Sequence, residues 1–157
     1  MPHSTGRSRR STLPFLATLA LAACAPRAPA PLPTLPSTVG EDAAAVRAVV
    51  TAFIVGEARG DEGTDTLLAP GADLIVTGVP LTERPRLAGV SGPGTGTVRE
   101  LRVEIAGDQA WAVAGYGWVG RDPSGEERAL ATFILQRFAG GWRIRHAHSS
   151  HVERWDR

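Results

Sequence analysis

Lysine is missing from all 157 residues, and cysteine occurs once, at Cys24. Without lysine there is no Schiff-base amine, no Ser-Lys dyad and no phosphate-binding P-loop. The glycine-rich run Gly92-Pro93-Gly94-Thr95-Gly96 lacks the Gly-Lys-Ser/Thr continuation, so it reads as a flexible loop and not as a phosphate cradle. A single cysteine excludes an intramolecular disulfide and a cysteine-based metal site. Long apolar runs are also absent. The longest near the start, Leu13 to Ala23, covers eleven residues, whereas a bilayer-spanning helix takes about 20. Nor is there a clustered basic face of the kind nucleic acid demands. The formal charge is +1, and without Arg7, Arg9 and Arg10 the balance becomes 14 arginines against 16 acids.

Those three arginines begin a segment with the layout of a secretory leader: basic start, apolar middle, then small residues. It closes on Leu21-Ala22-Ala23-Cys24, which resembles a bacterial lipobox. Residues 1–23 are therefore expected to be a lipoprotein signal peptide, with Cys24 acylated after cleavage. Several acyl chains, at about 0.8 kcal/mol per buried CH₂, anchor a protein stably where one chain does so marginally. Arg9-Arg10 raises the twin-arginine export route, but Thr12 stands where that signal prefers an aromatic, which favours general secretion. Ala25 is not the aspartate that retains lipoproteins at some inner membranes, so outer-membrane sorting towards the periplasm is expected in a cell with two membranes. Residues 24–40 hold the lipidated cysteine and a proline-rich tether. Its core, residues 25–36, favours extended polyproline II and spans roughly 35 Å at about 3.1 Å per residue.

Residues 41–157 form one domain. From Glu41 the spacing becomes helical: Val46, Val49, Val50, Phe53 and Glu57 share a face, and Gly60 stops the helix. Asp61 reads as the N-cap of a short second helix carrying Leu67 and Leu68 and ended by Pro70-Gly71. A strand follows from Asp73 to Val79, then an irregular stretch from Pro80 to Gly96. Four strands complete the pattern, at 97–106, 109–120, 128–138 and 142–151, joined by Gly107-Asp108, a turn around Asp122-Pro123-Ser124-Gly125, and Ala139-Gly140-Gly141.

Two-residue turns set register and therefore which residues share a face. Turning at Gly107-Asp108 pairs Ile105 with Ala110, Val103 with Ala112, Leu101 with Ala114, Arg99 with Tyr116 and Thr97 with Trp118. The last hairpin puts Ala131, Phe133 and Leu135 on a face with Ile144, His146 and His148. These rows are expected to form the inner face, under the two helices. The outer face then carries Trp111, Val113, Leu130 and Ile134, too apolar to be simply wet. A homodimer through that outer sheet face is the expectation. Helices folded over a long curved antiparallel sheet make an α+β plan.

Four segments together carry a resemblance: Arg59-Gly60-Asp61, Leu67-Leu68-Ala69-Pro70-Gly71-Ala72-Asp73, Ala131 to Arg137, and Gly141-Trp142-Arg143-Ile144-Arg145-His146-Ala147-His148-Ser149-Ser150. Over roughly residues 41–151 the chain resembles the SnoaL-like branch of the nuclear transport factor 2-like superfamily. The resemblance implies a cone-shaped fold, a pocket between helices and sheet, and frequent dimers. It also implies functions ranging from polyketide cyclases and ketosteroid isomerases to noncatalytic assembly domains.

Candidate site residues follow from the inner rows. Tyr116 and Trp118, polar-tipped aromatics near the open end, either line a pocket for a flat apolar ligand or are core packing. His146 and His148 either carry general acid–base work or are hydrogen-bonded wall residues. No third ligand is placed beside them, so neither a metal nor a cofactor is expected. Glu57 lies within the helix's apolar face but in its last turn: either a desolvated proton carrier or a carboxylate that reaches solvent or pairs with an arginine. Asp73 reads as a turn residue. The leading expectation is a membrane-anchored pocket domain that binds a small apolar or aromatic molecule. Its rivals are an isomerase, cyclase or hydratase using His146 or His148 with Glu57, and a dimeric interaction module of the envelope.

Overall fold

The structure is a computed structural model, and it describes residues 38–121 and 125–152. The leader, Cys24, the tether, the centre of the turn at 122–124 and the tail containing Trp155 lie outside the described residues. Among the described residues, no helix is long and apolar enough to cross a membrane.

Helix α1 spans Thr38–Arg59. Val46, Val50, Phe53, Ile54, Glu57 and Ala58 recur at three- and four-residue spacing and are all buried. The helix ends in a Schellman motif: Asp61 N–H donates to Gly56 O at 2.9 Å and Gly60 N–H to Glu57 O at 3.1 Å. Gly60 takes φ +74°, which a side chain would oppose. Asp61 does cap the next element, accepting from Gly63 N–H at 2.7 Å. That element is a single 3-10 segment, Glu62–Leu67, and not a helix reaching Pro70. Leu68 already opens strand β1, Leu68–Val76, whose partner is too close for another helical turn.

After β1 come β2 (Val79–Pro80), β3 (Gly94–Ala106), β4 (Gln109–Gly120), β5 (Glu127–Phe138) and β6 (Gly141–His151). They form one curved, unclosed sheet in the order β2-β1-β6-β5-β4-β3. The plan is α+β as the sequence implies, but the sheet is mixed: β1 runs parallel to β6, and the other neighbours are antiparallel. Helix α1 lies across the concave face. Phe53 meets Phe133 edge-on, centroids 6.1 Å apart, at the centre of the core. Alanines 110, 112, 114, 129 and 131 are all buried beneath the helix, and their small size lets it approach the sheet.

Two bulges decide the faces. Ile105↔Ala110, Val103↔Ala112 and Leu101↔Ala114 pair as the Gly107-Asp108 turn requires. Between Val98 and Glu100 the register slips, so Tyr116 faces Val98 and Trp118 faces Gly96, in place of Arg99 and Thr97. The bulge keeps apolar Val98 inward and sends Arg99 out to its ion pair with Glu126. The second bulge matters more. Leu135 pairs with Ile144 as expected, but then Ile134 faces His146, Phe133 faces Ala147, Thr132 faces His148 and Ala131 faces Ser149. A one-residue slip reverses every side chain beyond it. Ala147 and Ser149 are therefore the buried residues, while His148 is exposed and His146 half-buried on the outer face.

Candidate functional site

The bulge at Arg145 dissolves the histidine–glutamate pocket. Arg145 Nη1 donates to Pro70 O at 2.6 Å, which holds the extra residue at the β1 side. Beyond it the strand turns its small side chains inward, where only small residues fit under the chain that crosses the cone. His146 instead stands opposite Ile134 and beside Asp73, and His148 opposite Thr132 and beside Ile75. Asp73 is exposed on β1. Among the described residues, no three His, Cys, Asp or Glu side chains come together as a metal site.

Glu57 is in the interior, and the interior uses it. Its carboxylate accepts from Thr64 Oγ1 at 2.7 Å, Arg86 N at 3.0 Å and Arg86 Nη2 at 2.5 Å, with Arg84 Nε at 3.5 Å. Both arginines also reach Asp65 Oδ1 at 2.8 Å. Two carboxylates thus face two guanidiniums, a neutral cluster at the base of α1. Burial pulls the Arg86 guanidinium down, but the Glu57 hydrogen bond and the Asp65 pairing outweigh it and hold its pKa above the ordinary value. Hydrogen bonds from Arg86 and Arg84 hold the Asp65 carboxyl below the usual carboxylate range. Of the two readings of Glu57, the arginine pair is the one found.

The segment bearing those arginines, within 81–92, fills the space between helix and sheet. Leu87 is 1% exposed. Ala88 N–H donates to Ser149 Oγ at 3.0 Å, and Tyr116 Oη donates to Ala88 O at 2.8 Å. Tyr116 faces inward as its strand position implies, but its hydroxyl serves this backbone. Burial pushes its pKa far above the usual phenol value, with the nearby Ser149 hydroxyl opposing.

Open volume lies at the rim, around Trp118. A cleft of about 580 Å³ runs between the Gly89–Pro93 backbone and the strand ends, with Trp118, Glu127 and His151 in its wall. His151 Nδ1 is 4.0 Å from Glu127 Oε2. A second cleft of about 320 Å³ shares Pro93, Gly120 and Arg121 with the first and adds Arg59 and Thr95. Gly94 separates them: a Cβ there would lie 2.3 Å from Val119 O and 2.7 Å from Trp118 Nε1, so only glycine lets β3 lie against the indole. The Gly92–Gly96 run is thus partly strand, and Gly94 and Gly96 serve close approach. The Trp118 indole nitrogen is buried and unpaired beneath that wall.

The model of the SnoaL-like domain matches residues 46–153, which takes in the buried face of α1, the crossing segment and all six strands. The chain belongs to the SnoaL-like domain family. Solved structures carry the same fold. The chain is 20% identical to a candidate dehydratase of the NTF2-like family from Streptomyces avermitilis (TM-score 0.59), over 73% of this chain and 98% of that one. With a candidate ketosteroid isomerase from Shewanella frigidimarina it shares 25% identity (TM-score 0.55), over 68% and 94%. With the S. rosetta CaMKII hub it shares 22% (TM-score 0.54), over 70% and 96%. No curated protein matches the chain.

In this SnoaL-like domain, the residues that hold the crossing segment or border the rim cleft include Tyr116, Trp118 and Glu57, which the sequence singles out, and Arg86, Ser149 and His151, which it does not. Arg86 pairs with Glu57 across 29 residues through a stretch with no periodicity, so no local signal marks it. Ser149 and His151 became visible only once the Arg145 bulge set their side of the strand.

Proposed function

We propose that this SnoaL-like domain is a membrane-anchored, extracytoplasmic ligand-binding module whose site is the rim cleft beside Trp118. The supporting observation is the cleft itself. At about 580 Å³ it has the size of a small-molecule site, with Trp118, 9% exposed, as its aromatic lining residue among backbone and polar groups. The lipobox-like run at Cys24 supports the anchor. The ligand is a small molecule with a flat apolar face, taken by Trp118. Among the described residues, Glu57 is committed to Arg86, and His146 and His148 lie on the outer face, which favours binding over the alternative enzyme.

A thermal-shift screen of planar aromatic metabolites tests the reading. At least one compound raises the melting temperature of the wild-type protein, and Trp118→Leu, still folded by circular dichroism, loses that rise. A hit that persists in Trp118→Leu, or a screen with no hit, rejects the rim site. Separately, membrane-fraction mass spectrometry should find Cys24 acylated; a free thiol there refutes the anchor.

A second reading has its own observation. Trp111, Leu130 and Ile134 are 43%, 48% and 42% exposed on neighbouring strands of the outer face. A contiguous apolar sheet face of this kind supports a homodimer, and the CaMKII hub is a protein of the same fold. Sedimentation should show a dimer that Ile134→Lys converts to monomer, whereas a wild-type monomer removes the proposal.

A further inference from the structure

The second rim cleft gives the ligand a charge, and this inference rests on the rim-binding reading above. Arg59, from the last turn of α1, and Arg121, just after β4, both stand in its wall, and its lining contains no acidic side chain. Arg84, Arg86, Arg99, Arg128 and Arg137 are all paired with carboxylates. Neither Arg59 nor Arg121 is ion-paired among the described residues. Two of the last-turn carbonyls of α1, those of Glu57 and Gly56, are already taken by the Gly60 and Asp61 N–H groups.

The two clefts meet at Pro93, Gly120 and Arg121, so one molecule can occupy both. The apolar wall is on one side, at Trp118. Among the described residues, the one acid lining either cleft is Glu127, on that same side, 4.0 Å from His151. An anionic group is therefore directed away from Glu127 and towards the arginines. A guanidinium presents paired donors that suit a planar or tetrahedral oxyanion. We propose that the rim site selects a planar apolar molecule carrying one anionic group, its body on Trp118 and its anion between Arg59 and Arg121.

Two probes of the same shape separate charge from hydrophobicity: 2-naphthylacetate and its uncharged amide, 2-naphthylacetamide. Each is titrated calorimetrically into the full chain at neutral pH. The carboxylate should bind about tenfold more tightly, as expected for one charge-assisted contact at a partly exposed site. That preference should shrink at high ionic strength, where exposed charges are screened. In an Arg59→Gln/Arg121→Gln double variant, whose melting temperature should match wild type, both probes should bind with the amide's affinity. Equal affinities in wild type, with binding still lost in Trp118→Leu, overturn the charge preference and leave the rim site standing. So does a preference that survives the double variant. If neither probe binds, the rim site and its charge preference both fall.

Discussion

The inside of the cone and its rim are built from neighbouring stretches of the same strands, yet they are filled in opposite ways. On β4, Tyr116 gives its hydroxyl to the chain's own Ala88 carbonyl, whereas Trp118, two residues on, borders open volume. On β6, Ser149 takes the Ala88 amide, whereas His151 borders the same cleft as Trp118. In the interior the crossing segment is tied to Glu57, Ser149 and Tyr116, and a ligand would have to displace Leu87 and break the Glu57 cluster. At the rim, the backbone is glycine-rich, and among the described residues Arg59 and Arg121 have no ionic partner. What closes the interior is the course of residues 84–92.

The sharpest way to break that contrast is to remove the cation from the interior. Arg86→Ala leaves the buried Glu57 carboxylate with only the more distant Arg84 as an ionic partner. Truncating one partner of a buried pair costs about 3–5 kcal/mol, against a typical domain stability of about 5–15 kcal/mol. Urea denaturation should show that loss. A double replacement, Glu57→Gln with Arg86→Met, should recover much of it, since apolar or neutral substitutes for a buried pair are often tolerated. A loss below about 1 kcal/mol for Arg86→Ala would mean that water reaches the cluster and that the interior is not closed.

Tyr116→Phe comes next. It deletes one hydroxyl and leaves the buried Ala88 carbonyl without its donor, at about 1–3 kcal/mol. Its pH signature is the more telling readout. The folded-state pKa of Tyr116 is raised by burial, so its contribution is complete below the unfolded phenol value of about 10 and declines as pH rises beyond it. The chain has a single tyrosine and no lysine, so no other abundant side chain titrates in that window. Wild-type stability should fall above about pH 10, and the Tyr116→Phe curve should be flat there.

Much of this division was legible from residues alone, and the part that was not has a common cause. The buried face of α1, the Gly60 stop, the hairpin registers near each turn and the outer apolar row at Trp111 and Ile134 all follow from local periodicity. Errors began where a local irregularity propagates. The bulge between Val98 and Glu100 changed two partners at the end of one hairpin, and the bulge at Arg145 turned His146 and His148 to the outside. Neither carries a glycine or proline marker at the bulge, because each is set by long-range partners: Glu126 for Arg99 and the Pro70 carbonyl for Arg145. The crossing segment was illegible for the same reason, since its order comes from Glu57, Ser149 and Tyr116 at distant positions.

A milder test uses acid. The carboxyls of Asp65, Asp42 and Glu126 are all held below their ordinary values, chiefly by arginine hydrogen bonds. Lowered folded-state values mean that the stabilisation is present above the unfolded values near pH 4 and lost as pH falls through the folded ones. Melting temperature should hold steady from neutral pH to about 4.5 and then decline. Asp65→Asn should flatten part of that decline and nothing at neutral or alkaline pH. A wild-type curve that begins to fall near pH 6 would mean that these carboxyls do not set the acid limit.

The smallest effect on stability is expected at the rim, from a residue chemically identical to the one with the largest. Arg121 is exposed and unpaired among the described residues, so Arg121→Ala removes neither a buried charge partner nor packed volume. Its stability should stay within about 0.5 kcal/mol of wild type, as is usual for surface substitutions. Setting it beside Arg86→Ala in the same denaturation series isolates surroundings from side-chain chemistry. Among the described residues, the two arginines differ in burial and in whether the chain has supplied their anion. Should Arg121→Ala destabilise the fold as Arg86→Ala does, that arginine already has a structural partner, and the rim would be as self-contained as the interior.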